Sequence, residues 1–273
     1  MMTADQARLG DQIEAAAFRE LYAAAPHPLA SSLGLATAEN AGATLLIAPG
    51  LPQTMFNRVI GLGVAQPATE ADLEAVIAAY RDARCTSYWI HWTPTARPAD
   101  LPRWLEARGF APAARRSWAK MVRGTEPPPT VGTTLDVRAV MAGEETAVAG
   151  AICAAFGMPP AFVPWIAALA RRPDWRAFGA FDGATAIGGG YLYTDGATGW
   201  LGLGGVQPTH RGRGAHRALM ALRIREAIAA GCTQIVTETG EPVADEANPS
   251  LANMQRSGFV RVCSRVNYAS PPA

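Results

Sequence analysis

The sequence predicts an α/β (α+β) protein built from two units that share one order of elements, strand–helix–strand–helix–strand. Three observations carry this. Residues 60–67 read IGLGVAQP and residues 201–208 read LGLGGVQP, each an apolar run that meets glycines and stops at proline. Each run is followed by a helical pattern and then a β-rich segment, CTSYWIHW at 85–92 or CTQIVTET at 232–239. A short helix ending in Gly-Phe comes next (RWLEARGF at 103–110, NMQRSGF at 253–259), and then a last apolar strand. Between the copies, Pro127, Pro128 and Pro129 cannot enter a helix or a central strand and favour an extended spacer. The units are therefore placed at residues 1–124 and 135–273, with 125–134 as the linker.

In the first unit, Leu73, Val76, Ile77 and Tyr80 recur at helical spacing behind Thr69-x-x-Asp72, a capping signal. Trp89 and Trp92 flank His91 on the next strand and read as core aromatics or as the lining of a substrate cleft between the halves. The helix opens with Glu70, Asp72 and Glu74, which suit a helix N-terminus but repel an anion there.

The second unit has its helix from about Gly214 to Ala230. The spacing from the proline to the following strand is 18 positions in the first copy (Pro67 to Cys85) and 24 in the second (Pro208 to Cys232). The additional residues, His210-Arg-Gly-Arg-Gly-Ala215, form a glycine–arginine loop between strand and helix. A loop inserted in one copy alone is expected to serve function rather than packing.

Composition narrows the function classes. The chain has 273 residues, 49% hydrophobic and 17% charged, so it has material for buried cores and no disorder signature. Lys+Arg is 24 against Asp+Glu 23, which argues against a general nucleic-acid or membrane-surface binder. Lys120 is the only lysine, so arginine clusters carry the local positive charge. Cys85, Cys153, Cys232 and Cys263 are far apart and the histidines are scattered; neither a disulfide framework, a metal site nor a nucleophile triad is expected. With no secretory leader and no membrane-length apolar run, a cytoplasmic protein is expected.

Gly212 and Gly214 allow a tight turn that brings successive N–H groups near a ligand, and the helix start adds unpaired donors and partial positive charge. Arg211, Arg213 and Arg217 add full charges. These features converge on an anion with several oxygens, such as a pyrophosphate.

The run Val206-x-Pro208-x-x-Arg211-Gly-Arg-Gly214-Ala215, between a strand and a long helix, resembles the acetyl-CoA signature of GNAT N-acetyltransferases. The strand at 232–239, Asn248, the helix ending at Gly258-Phe259 and the final strand follow in the family's order. The resemblance covers residues 133–270; residues 1–124 resemble the same fold without the phosphate loop. It implies two GNAT-like units, each a mixed, mostly antiparallel twisted sheet flanked by helices, the first one degenerate. It implies acyl transfer from acetyl-CoA, or another acyl-CoA, to an amine of a small molecule or peptide. Gly205 and Val206 would pair with the pantetheine arm, Arg211, Gly212, Arg213, Gly214 and Ala215 would cradle the pyrophosphate, and Asn248 would bond the cofactor near its thioester arm.

The sequence departs from the family pattern at two positions. His216 is larger than the usual residue, and either donates to phosphate or points to solvent. Met254 stands where many members have the tyrosine that protonates the departing thiolate, and methionine cannot donate a proton. The strand 200–206 contains no carboxylate, so Glu238 is the candidate base and Tyr268 a candidate proton donor, with Ser250 a further one. Tyr191 and Tyr193 read as packing or substrate-lining residues. A non-catalytic acyl-CoA sensor is the alternative function.

Overall fold

The structure, a computed structural model, describes residues 4–113, 117–243 and 248–272. The first half comprises α1 (Ala4–Ala23), α2 (His27–Leu33), β1 (Ala36–Asn40), β2 (Ala43–Ile47), β3 (Arg58–Ile60), α3 (Glu70–Asp82), β4 (Trp89–Trp92), α4 (Leu101–Ala107), β5 (Ala111–Pro112) and β6 (Trp118–Arg123). The second comprises β7 (Asp136–Ala139), α5 (Glu145–Phe156), α6 (Val163–Ala168), β8 (Trp175–Asp182), β9 (Thr185–Asp195), β10 (Thr198–Val206), α7 (Ala215–Ala229), β11 (Gln234–Gly240), α8 (Pro249–Arg256) and β12 (Val260–Ala269). The local signals act as expected. Thr69 Oγ1 accepts from the Asp72 N–H at 3.2 Å and the Thr69 N–H donates to Asp72 Oδ2 at 2.8 Å, a reciprocal cap on α3.

All the strands join one mixed sheet in the order β1-β2-β3-β4-β12-β6-β11-β10-β9-β8-β7, with β5 on the side of β12. Neighbours are antiparallel except for two parallel steps, β3–β4 in the first half and β10–β11 in the second. The repeat read in the sequence is thus a repeat of topology.

The two halves exchange their last strands. β6, the last strand of the first half, lies between β11 and β12, while the end of β12 pairs with β4. The proline-rich segment therefore divides the sequence but not the sheet. β6 is buried on both faces, as a central strand requires: Ala119 and Met121 face the core under α7 and α8, and Val122 joins the core under α1. Three apolar cores result, one under α3 and α4, one under α7 and α8, and one shared by α1, α5 and α6. α1 fastens the shared core through Phe18, which meets Trp200 edge to face at 5.6 Å, and through Leu21, whose carbonyl accepts from Trp165 Nε1 at 2.6 Å.

Beneath α1 lies a buried ionic network. Glu14, with no exposed surface, meets Lys120 Nζ at 2.6 Å and Arg58 Nη2 at 3.2 Å, and also pairs with Arg265. Arg265 meets Asp11 Oδ1 at 3.3 Å, and Lys120 meets Glu238 Oε2 at 3.1 Å. Arg58, Lys120 and Arg265 are thus matched by Asp11, Glu14 and Glu238, the balance that makes burial of charge tolerable. Burial pushes the Glu14 carboxyl up, but Arg265, Lys120 and Arg58 outweigh it and hold it well below the ordinary value. These groups come from α1, β3, β6, β11 and β12, so the network fastens both halves to one helix.

Candidate functional site

β10 and β11 are paired only from Thr198–Gln234 to Trp200–Val236. β10 continues to Val206 and β11 to Gly240, so the strands part and open a cleft in the sheet. On its other side β10 is bulged: regular pairing with β9 ends at Gly202–Tyr191 and resumes at Gly205–Gly189. Leu203, inside the bulge, has φ +52°. Gly202 is required there because a Cβ would lie 1.9 Å from the Trp200 ring, which folds back across the strand.

The glycine–arginine loop stands at the mouth of this cleft. Gly212 (φ +80°) and Gly214 (φ +86°) occupy left-handed conformations that other residues rarely adopt. Among the described residues, no acceptor meets the backbone N–H groups from Gly212 to Arg217. This run of free donors at the start of a 15-residue helix is suited to an anion with several oxygens. The linker buttresses the loop: Thr133 Oγ1 donates to the Arg213 carbonyl at 2.9 Å, and the Gly132 carbonyl lies 3.0 Å from where a Gly214 Cβ would be. Through Gly132 and Thr133, the segment after the prolines is a wall of the loop.

Arg211 Nε donates to the Val206 carbonyl at 3.3 Å, leaving the rest of its guanidinium at the loop. Arg213 forks onto the Asp182 carboxylate at the end of β8, an exposed pair. Gly205 and Val206 lie on β10 beyond the bulge, and Ala215 is buried at the helix start. His216 follows it, with Nδ1 3.3 Å from Asn253 Nδ2 on α8. Burial, together with Arg223 and Arg211, pushes the His216 imidazole down to about 4, so it is neutral at pH 7. Its side chain is therefore turned toward α8 rather than to open solvent.

The other candidates are placed differently. Asn248 caps α8 by accepting from the Leu251 N–H at 3.0 Å, and its amide also donates to the Gly240 carbonyl, tying the helix to the end of β11. Glu238 receives Lys120 Nζ and Trp200 Nε1, each at 3.1 Å on Oε2, with Trp200 Nε1 also 3.3 Å from Oε1. Both oxygens are engaged, so this residue, the base expected from the sequence, is also a counter-ion in the buried network. Tyr268, expected as a proton donor, lies in the core of the first half, its hydroxyl 3.4 Å from Glu106 Oε1; the exchange of β12 carries it away from the cleft. Met254 packs with Leu219 and Phe259, and the Tyr191 hydroxyl donates to the Ile166 carbonyl at 2.7 Å. In the first half, Glu70 and Glu74 both bind Arg108, and nothing equivalent to the loop is formed.

Arg223 on α7 and the acids of α1 were not singled out by sequence reasoning. Arg223 sits in a helix whose residues show no clean apolar stripe. For the network, the one available signal was a lone lysine in the middle of an apolar strand. Among the described residues no cluster of histidine, cysteine, aspartate or glutamate is arranged to hold a metal. None of the described helices is long and apolar enough to cross a membrane.

A mixed sheet opened at one parallel step and bulged on the strand beside the opening is thus faced by a donor-rich helix start. Residues 153–259 match the family described as "Acetyltransferase (GNAT) family". That match lies within the second half of this chain, and the whole chain has the fold of a tandem GNAT protein. A GCN5-related N-acetyltransferase from Sphaerobacter thermophilus aligns at 18% identity over 90% of this chain and 86% of its own, with TM-score 0.64. A GCN5-related N-acetyltransferase from Kribbella flavida aligns at 16% identity over 89% and 93%, with TM-score 0.62. A tandem GNAT protein from the clavulanic acid biosynthesis pathway aligns at 16% identity over 90% and 88%, with TM-score 0.60. At these identities the likeness is one of fold. No curated protein matches the chain.

Proposed function

We propose that this protein transfers the acyl group of acetyl-CoA, or of another acyl-CoA, to an amine of a small molecule or peptide. The observation that carries the reading is the run of free N–H groups from Gly212 to Arg217 at the mouth of the β10–β11 cleft. In this reading the loop and Arg211 hold the pyrophosphate and the edge of β10 beyond Trp200 receives the pantetheine arm. The amine nitrogen then forms a bond to the thioester carbon, the C–S bond breaks with its electron pair on sulfur, and the nitrogen loses one proton to water. The protein's share is alignment and stabilisation of developing negative charge.

Melting the protein with and without CoA tests this. A ligand that binds only the native state adds RT ln(1 + [L]/Kd), about 2.7 kcal/mol at a hundredfold excess over Kd. An unchanged melting temperature at millimolar CoA rejects the reading. A sensor without catalysis is the second reading, favoured because Met254 cannot donate a proton, the strand 200–206 carries no carboxylate, and both oxygens of Glu238 are engaged. Sustained thiol release from acetyl-CoA with any amine rejects the sensor. One CoA per chain is expected, since the acids at the start of α3 are paired with Arg108 or form its cap.

The Arg213–Asp182 pair gives a signed prediction. Arg213 must leave Asp182 to reach a phosphate, so Asp182→Asn is expected to tighten CoA binding a few-fold, the scale of an exposed ion pair of under about 1 kcal/mol. Calorimetric titration reads it; weaker binding by the variant would mean that Asp182 positions Arg213 rather than competing for it.

A further inference from the structure

Arg223 is 2% exposed and projects from α7 under β9 and β10. Its Nε donates to the Leu219 carbonyl at 3.1 Å, and Nη1 donates to the carbonyls of Tyr191 and Gly202 at 3.3 and 3.2 Å. Among the described residues no carboxylate pairs with it and Nη2 has no hydrogen bond. The contrast with the network under α1 is direct, because Arg58, Lys120 and Arg265 there are each matched by acids. Burial alone pushes the Arg223 guanidinium down to about 10, which leaves it charged at neutral pH. A desolvated cation without a counter-ion is costly, and its retention asks for a negative charge that is present only part of the time.

Its position says where that charge forms. Tyr191 and Gly202 are the last regular pair of β9 and β10 before the bulge. Cβ atoms at Gly190 and Gly204 would stand 2.7 Å from Nη1 and from Nη2, so glycines on both strands clear the space for the guanidinium. Arg223 is eight residues past Ala215, about 12 Å down the axis of α7 from the anion loop. That separation is comparable with an extended pantetheine arm, which brings the sulfur end of an acyl-CoA held at the loop close to the bulge.

We propose that Arg223 is a positioning residue for acyl transfer. Its grip on the Tyr191 and Gly202 carbonyls fixes the bulge, and its unmatched charge stabilises the sulfur as the C–S bond breaks. This inference rests on the acyl-CoA reading above. It accounts for Met254 at the usual proton-donor position: with a fixed cation behind the cleft, sulfur leaves as the thiolate and takes its proton from solvent afterwards.

The test titrates the thiol of bound CoA by thiolate ultraviolet absorbance, using the desulfo-CoA complex as the blank so that protein thiols and tyrosines cancel. The bound thiol in the wild-type protein is expected to ionise at least tenfold more readily than that of free CoA. R223M is expected to abolish that gain, and R223K, which keeps a charge, to retain most of it. A purely structural clamp would leave the midpoint equal in wild type and R223M, and that result overturns the proposal. If R223M does not fold, the wild-type titration decides: a midpoint no lower than that of free CoA overturns it. Absence of CoA binding by the wild-type protein is a separate outcome, which overturns the acyl-CoA reading and this proposal with it.

Discussion

Replacing Glu14 with alanine is expected to destabilise the fold by roughly 3–5 kcal/mol, the scale for breaking a buried ion pair from one side. Three cations converge on this carboxylate, and its removal leaves Arg58, Lys120 and Arg265 with Asp11 and Glu238 alone. For a chain of this size the melting temperature should fall by on the order of 10 °C. Glu14→Gln keeps the shape but not the charge, and should recover little. The pH dependence follows from the direction of the shift. Glu14 titrates below its ordinary value in the folded state, so its contribution is fully present above that ordinary value. It is lost as pH falls through the folded one. Burial shifts Asp11 the other way, which offsets part of this. Urea unfolding between neutral and acidic pH should therefore show a shallower loss for Glu14→Gln than for wild type. A Glu14→Ala protein melting within a degree or two of wild type would show that the network adds nothing to stability.

What the sequence made legible was local. Thr69 and Asp72 announced the start of α3 three residues apart, and Gly212 and Gly214 announced a turn at the start of α7 within the same few residues. The two copies of the glycine–proline run marked the two strands beside the parallel steps, because a strand that must part from its neighbour needs glycines whatever else it carries. Pairing partners were not legible. Nothing in Trp118–Arg123 states that it will lie between β11 and β12 instead of beside β4, since both environments bury two faces of a strand. The surroundings of Tyr268 and Glu238 were not legible for that reason. The exchange takes Tyr268 into the core of the first half and lays Lys120 beside Glu238. Lys120 was conspicuous as the single lysine, but its role depends on Asp11 and Glu14 more than a hundred positions away, a separation that no periodicity encodes. Arg223 was hidden in another way: its acceptors are backbone carbonyls freed by a bulge, which carry no residue-type signal.

Residues 125–273 produced alone are expected not to form a cooperative fold, despite containing the whole family match and the anion loop. Without β6, β11 and β12 lose the strand that lies between them and expose unpaired edges. Without α1, the shared core loses Phe18, Leu21 and Tyr22, each worth roughly 1.5–3 kcal/mol when fully buried. Glu238 loses Lys120, and Arg265 loses Glu14 and Asp11. Against a net stability of about 5–15 kcal/mol for a whole domain, these losses together exceed what the fragment can spare. Circular dichroism and amide proton dispersion should show a collapsed chain without a melting transition, with no measurable CoA binding. Starting the fragment at Ser117 restores β6 through the natural linker and should recover secondary structure. Mixing residues 1–116 with it should be needed for full stability, because only that piece carries α1. A fragment of residues 125–273 that melts cooperatively and binds CoA as the whole chain does would show that the exchanged strand is an ornament on a self-sufficient unit. The covering first half would then have to be explained by the acceptor it helps to hold, rather than by the sheet it completes.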